Sequence, residues 1–138
     1  MPLNPNQPVA FSVWANSGTN THYTINDRVV FDEVISNFGG HYSTNTSSFV
    51  CPWNGVYMLS AHIQGFNSSI VLVDLMRNDE VLAQAWGDSI PGFYNRASNT
   101  VITECNQGDE LWVRSGIVQY IYGWLQCTVL TGCQLHRY

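Results

Sequence analysis

Residues 47–62 read SSFVCPWNGVYMLSAH. Apolar residues fill the stretch, yet Pro52, Asn54 and Gly55 interrupt it. Proline presets the first corner of a turn, and Asn and Gly tolerate the left-handed backbone that turns use. The stretch therefore divides in three: 48–51 ends one strand, Pro52-Trp53-Asn54-Gly55 turns, and Val56 begins another strand. From Tyr57 the residues alternate. Tyr57, Leu59, Ala61 and Ile63 point one way; Met58, Ser60, His62 and Gln64 point the other, so one face can join a core.

The same signals recur on both sides of this stretch. Strands are predicted over 9–14, 28–35, 70–76, 81–86, 100–105 and 111–114, with a last one over 127–135; 117–122 either extends the strand at 111–114 or forms the connection after it. The run 70–76 is nearly continuously apolar, as a strand covered on both faces would be. Arg77-Asn78-Asp79-Glu80 and Asn106-Gln107-Gly108-Asp109 read as turns. No segment carries a capped helical repeat. Short strands at regular spacing predict an all-β sandwich or jelly roll, one domain over 8–138 behind a short N-terminal segment, 1–7.

Composition bounds the function. The chain has 138 residues, 45% hydrophobic and 11% charged, which excludes disorder and allows a real core. All the cations are arginine, and the formal charge of −5 argues against nucleic acid or an anionic membrane as partner. No apolar run approaches the roughly 18 residues of a membrane span. Solubility rests on Asn, Ser, Thr, Gln and Gly, a surface that suits neutral hydrogen bonds to sugars and equally an ordinary β surface. The start, MPLNPNQPVAF, shows no basic region followed by an apolar run, so no secretory signal is visible in it. Two sequons, Asn45-Thr46-Ser47 and Asn67-Ser68-Ser69, are compatible with secretion, and an extracellular location is expected.

Catalytic signals are weak. No G-x-S-x-G elbow is present. Cys51 with His62 is the one thiol–imidazole pair to consider, and a structural Cys51 with His62 on a strand face accounts for both. His22, His41, His62 and His136 lack metal-ligand spacing, and no C-x-x-C occurs. The expectation is a protein without catalysis, metal or cofactor.

Phe31, Asn37, Tyr42, Phe49 and Gly55-Val56-Tyr57-Met58-Leu59 stand at spacings that resemble the signature of the C1q globular domain family. Leu59 and Ala61 occupy two positions where that signature has aromatics. Ala10-Phe11-Ser12-Val13, Phe49-Val50-Cys51-Pro52, Leu75-Met76-Arg77, Gly108-Asp109-Glu110-Leu111-Trp112-Val113 and Leu130-Thr131-Gly132-Cys133-Gln134-Leu135 are similar to other segments of the family. The resemblance spans roughly 8–136. It implies a ten-stranded jelly roll, a homotrimer and a secreted protein that acts by binding. No Gly-X-Y stalk is present, so the chain resembles the head-only form common among invertebrate defence proteins, several of which are lectin-like.

Several site expectations follow from that resemblance. Tyr57, Trp112, Tyr120 and Tyr122 are candidates for a subunit seam, with packing inside their own subunit as the alternative. The loops His41-Tyr42-Ser43-Thr44 and Tyr120-Ile121-Tyr122-Gly123-Trp124 carry no acid, so the apical calcium of some family members is not expected. In a jelly roll of this strand order, the turns beside Cys51 and Cys105 fall at one end, which makes them the first-choice disulfide; Cys133 replacing either, or free buried thiols, are the alternatives. By its residue pattern the stretch 87–99 is expected to be a long exposed loop, either a ligand site or an ordinary surface loop whose aromatics close the core. In it Arg96 can fork a carboxylate, Tyr94 can stack and Asn95 can bond hydroxyls, as a glycan or microbial surface ligand such as sialic acid would require. His22, Tyr23 and Trp124 are second-choice contributors.

Overall fold

The computed structural model of the chain describes residues 3–16, 18–66, 69–88, 91–92, 94–123 and 126–138. Among them lie twelve strands and no helix. In chain order these are β1 (Ala10–Trp14), β2 (Gly18–Tyr23), β3 (Glu33–Phe38), β4 (Tyr42–Ser43), β5 (Ser48–Val50), β6 (Gly55–Gln64), β7 (Val71–Arg77), β8 (Glu80–Gly87), β9 (Arg96–Cys105), β10 (Glu110–Ser115), β11 (Gln119–Gly123) and β12 (Val129–Arg137). Two five-stranded antiparallel sheets, ordered β3-β1-β12-β6-β9 and β4-β5-β10-β7-β8, make a jelly-roll sandwich, and β11 pairs with β2 as a separate ribbon.

The turn after Cys51 and the strand that follows it form as the sequence predicts, with the strand beginning at Gly55, one residue earlier than expected. Two expectations need correction. The strand expected over 28–35 forms later, as β3; Arg28 makes only an isolated bridge to Arg114. The loop expected over 87–99 is shorter, because Arg96 to Asn99 belong to β9 and pair with Gln64 to Ala61. The ribbon strand β2, polar and Thr-rich, had no apolar alternation to reveal it.

The inner faces of the two sheets bury an aromatic stack. Phe11 lies 5.1 Å from Tyr42 and 4.9 Å from Phe49, and Phe49 lies 5.9 Å from Tyr57. Leu59, Ala61 and Ile63 continue inward along β6. The spaced motif now has physical content. Asn37 clamps Tyr42 with both ends of its amide, donating to the Tyr42 carbonyl at 2.9 Å and accepting the Tyr42 N–H at 3.1 Å. The Tyr42 hydroxyl donates to the Phe31 carbonyl at 2.9 Å. A β-carbon on Gly55 would lie 2.1 Å from the His136 carbonyl oxygen, so β6 can pair with β12 only if this residue has no side chain.

β7 is covered on both faces, as its apolar run predicts. Val71, Val73 and Leu75 face the core, while Met76 and Asp74 are buried on the outer side. Trp112 and Arg28 are neighbours of that outer layer, and Asp74 is held there by Arg114 and by Gln84. A carboxylate this buried is tolerable because both its oxygens are bonded.

The outer face of the first sheet has no such cover. Cross-strand register places Phe38, Ala10, Cys133, Met58 and Ile102 in one apolar row. The neighbouring row is Ser36, Ser12, Thr131, Ser60 and Thr100, with Ser12–Thr131 and Ser60–Thr100 hydroxyl bonds of 3.0 and 2.8 Å. Glu33, Arg96 and Glu104 lie only at strand ends.

Candidate functional site

The sandwich has two ends. The base holds the starts of β1 and β6 and the finishes of β9 and β12; the top holds their opposite ends together with the β2–β11 ribbon. At the top, three strand ends gather aromatic rings on one surface. Tyr94, just before β9, lies 5.8 Å from Phe66, just after β6, and 5.2 Å from Tyr122 on β11. Two residues back along the same face of β11, Tyr120 packs at 4.8 Å against His22 of β2. The result is a strip, Phe66–Tyr94–Tyr122 continued by Tyr120–His22. Tyr94 and Tyr120 are 46% and 47% exposed, so the strip faces solvent rather than the core.

Its backbone is fixed. The Phe66 N–H donates to the Tyr120 carbonyl at 3.0 Å. Thr128, fully buried, donates its hydroxyl to the Tyr122 carbonyl at 2.7 Å and accepts the Gln64 N–H at 3.1 Å. Gln119 clamps Leu72, donating to its carbonyl and accepting its N–H. Partial burial, then the neighbouring Tyr94 and Cys127, push the Tyr122 phenol above its ordinary pKa, so it is a neutral hydrogen-bonding group at physiological pH. Arg96 is exposed at the start of β9, two residues from Tyr94, and pairs in register with Gln64.

The expected ligand residues divide. Tyr94, His22 and Arg96 are exposed at this end. Asn95 is a correction: it is buried, its side-chain amide donates to the Ser69 carbonyl at 2.9 Å, and its carbonyl accepts the Gly65 N–H at 2.8 Å. It closes the loop and turns away from any ligand. Tyr23 is another: it is buried, and its hydroxyl accepts the Val30 N–H at 3.0 Å. Trp124 lies outside the described residues. Phe66 was not foreseen; its only signal was a break in alternation after Gln64, at Gly65.

The four seam candidates do not share a face. Tyr57 is fully enclosed in its own core, and its hydroxyl donates to the Trp53 carbonyl at 2.7 Å, so it offers a partner nothing. Trp112 is buried under Arg28 of the same chain, 4.1 Å from its guanidinium carbon, with its indole N–H donated to the Asn78 carbonyl. Tyr120 and Tyr122 belong to the aromatic strip. Sequence alternation could not show this, because strand period reports which side of a strand a ring takes and not which strand lies beside it.

Cys51 and Cys105 are brought together at the base as hydrogen-bonded thiols, not as a disulfide. The hydrogen bond between the pair, together with burial, pushes Cys51 well up; the same bond draws Cys105 down. Cys105 is thus the sulfur that ionises first. Among the described residues, no three of His, Cys, Asp and Glu gather as a metal would need.

Comparison with known proteins supplies the context for this arrangement. The family model for the C1q domain matches residues 10–128. Caprin-2 of Danio rerio is 33% identical over 107 residues, covering 77% of this chain and 12% of that protein. Complement C1q tumor necrosis factor-related protein 2 of Homo sapiens is 30% identical over 86 residues, 62% of this chain and 30% of that protein. The chain thus spans less than a third of the length of these relatives. Among solved structures, the globular domain of zebrafish complement 1qA superposes with a TM-score of 0.75 at 17% identity, covering 94% of this chain and 99% of that one. Eiger TNF of S. frugiperda superposes with a TM-score of 0.72 at 13% identity, with 96% of each chain covered. At these identities the structural likeness speaks for the fold alone.

Proposed function

This chain belongs to the C1q-domain family, and from that premise we propose that it is a secreted, homotrimeric recognition head that binds glycans on microbial or host surfaces, without catalysis. The observation that carries this reading is the exposed strip Phe66–Tyr94–Tyr122 with Tyr120–His22. Sugars present apolar C–H faces rimmed by hydroxyls, and aromatic rings with polar tips complement both. Arg96 beside the strip adds a fork for a carboxylated sugar such as sialic acid. Secretion is supported by the sequon at Asn45, which is exposed in the turn between β4 and β5.

The trimer is supported by the outer face of the first sheet, which is uncharged except at its ends. Burying the Phe38–Ala10–Cys133–Met58–Ile102 row against two further copies removes partly exposed apolar area from water. Three weak sites at one end of a trimer then act together through effective concentration.

A glycan array with the purified protein tests the reading. Binding to a set of carbohydrates that falls at least about tenfold in Tyr94→Ala, a loss of about 1.4 kcal/mol, is expected. An array silent for the wild-type trimer would reject it. Among carboxylated glycans, Arg96→Ala should weaken binding selectively. A second reading, a signalling or scaffold head for a protein receptor, is favoured by Trp86. This ring is 68% exposed on β8, opposite Leu72, and large exposed aromatics anchor protein interfaces. Loss of a protein partner on Trp86→Ala, with no carbohydrate bound, would favour it.

A further inference from the structure

A cleft of about 460 Å³ opens at the base, the end opposite the aromatic strip. Leu3, Asn4, Gln7 and Val9 form one side; Gly39, Gly40, His41 and Trp53 form the other. Its volume lies within the range of small-molecule sites, roughly 300–1,000 Å³. Trp53 belongs to the turn that divides the sequence at 52–55; its ring packs partly against the core and also forms part of the cleft wall.

The walls are held in place. The Trp53 backbone is gripped on both sides by the Tyr57 hydroxyl, which accepts its N–H at 3.3 Å and donates to its carbonyl at 2.7 Å. The Arg137 guanidinium lies 4.3 Å from the centre of the Trp53 ring and is not part of the cleft wall, so it steadies the indole from outside. Gly39 and Gly40 both have positive φ, 87° and 75°. A β-carbon on Gly39 would lie 2.8 Å from the His41 ring, whereas one on Gly40 would meet nothing within 4 Å. Glycine at these positions lets the imidazole lie against the backbone and leaves the floor open. The N-terminal side is a turn, with the Gln7 N–H donated to the Asn4 carbonyl at 3.1 Å and the Asn6 N–H to the Asn4 side-chain oxygen at 3.0 Å. That leaves the Asn4 amide nitrogen as a donor.

The chemistry of this lining is specific. Among the described residues it combines one indole, two aliphatic side chains, two amides and an imidazole, with no carboxylate and no ammonium or guanidinium. Burial lowers the His41 pKa, so at neutral pH the ring is uncharged and can both donate and accept. A cation finds no acid in this wall, and an anion no basic side chain, the Arg137 guanidinium lying on the Trp53 ring but not in the wall. A ring with an apolar face and hydroxyls at its edge satisfies both kinds of wall.

We propose that this base cleft binds an uncharged pyranose, a free monosaccharide or the terminal ring of a neutral glycan, against Trp53, with Asn4, Gln7 and His41 bonding its hydroxyls. The site is separate from the aromatic strip and does not depend on it. It would give each subunit two recognition points at opposite poles.

The test is a titration of the ¹⁵N-labelled full chain with N-acetyl-D-glucosamine and methyl β-D-glucopyranoside, following the indole N–H resonance of Trp53, with D-glucuronate as the charged comparison. A saturable shift of Trp53 and of Gly39, Gly40 and His41 amides by at least one neutral sugar, tighter than by glucuronate, is expected. Trp53→Leu should weaken it at least about tenfold. Gln7→Ala, outside both sheets, should weaken it without touching the core, which keeps the test sound if Trp53→Leu fails to fold. Tyr94→Ala should leave it unchanged. No saturable shift at the cleft with either neutral sugar would overturn the proposal, as would equal or tighter binding of glucuronate. Shifts confined to Tyr94, Tyr120 and Tyr122 would reject the base cleft while sparing the strip, and the reverse pattern would do the opposite.

Discussion

Gly55 shows how single residues set this fold. Its missing side chain lets the start of β6 lie against the end of β12, and any β-carbon would collide with the His136 carbonyl oxygen at 2.1 Å. Backbone cannot yield as a flexible side chain can, so Gly55→Ala is expected to cost about 3 kcal/mol or more, measured by chemical denaturation. A second residue-scale prediction concerns alkali. Burial raises the phenols of Tyr42 and Tyr57 to about 12 each. An unfolded tyrosine ionises near 10, so the native state holds its protons more tightly. The contribution is fully present below about pH 10 and is lost as pH rises to about 12, on the order of 2–3 kcal/mol per phenol. Denaturation curves should show stability falling through that window. In Tyr57→Phe, weaker at neutral pH for the lost hydroxyl bonds, the fall should be smaller.

Elements are held by what joins their ends. The Cys51–Cys105 contact ties the turn after β5 to the end of β9, close to where Gly55 pairs with Cys105. Under oxidising conditions these two sulfurs are expected to be linked, because they already meet. Closing a loop of this length is worth about 4 kcal/mol in the chain-entropy account. Peptide mapping without reductant should recover the 51–105 crosslink, and reductant should lower the melting temperature. Four thiols that all react with a blocking agent in the denatured, unreduced protein would refute it. Cys133 is elsewhere: it faces outward from β12 beside Met58 and Ala10 and reaches neither partner.

At the scale of the whole molecule the uncovered face of the first sheet matters most. Ile102, 62% exposed on the edge strand β9, sits at the end of its apolar row. Ile102→Arg places a charge in the proposed seam while leaving the core untouched. Light scattering is expected to find a trimer for the natural sequence and a monomer for this variant. Its glycan avidity should fall about a hundredfold or more while the single-site affinity stays the same. A variant that remains trimeric would move the seam to another surface.

The alternation in 57–64 and the turn at 52–55, repeated along the chain, were enough to read an all-β sandwich from the sequence, and the spaced residues Phe31, Asn37, Tyr42, Phe49 and Gly55 carried the resemblance to the C1q globular domain family. The alternation and the turn are local rules, a period of two and a turn chemistry, and local rules are written in the order of the chain. The partners of those residues were not legible. Tyr57 and Tyr120 look alike as strand aromatics, yet one is sealed in the core and the other lies at the open end, because the register of β6 with β12 and of β11 with β2 decides what each ring meets. The strip, the base cleft and the meeting of Cys51 with Cys105 all join residues far apart in the chain. Pairing of strands distant in the chain, and for Cys51 with Cys105 the stacking of the two sheets, bring them within a few ångströms, and no period along a single strand encodes that distance.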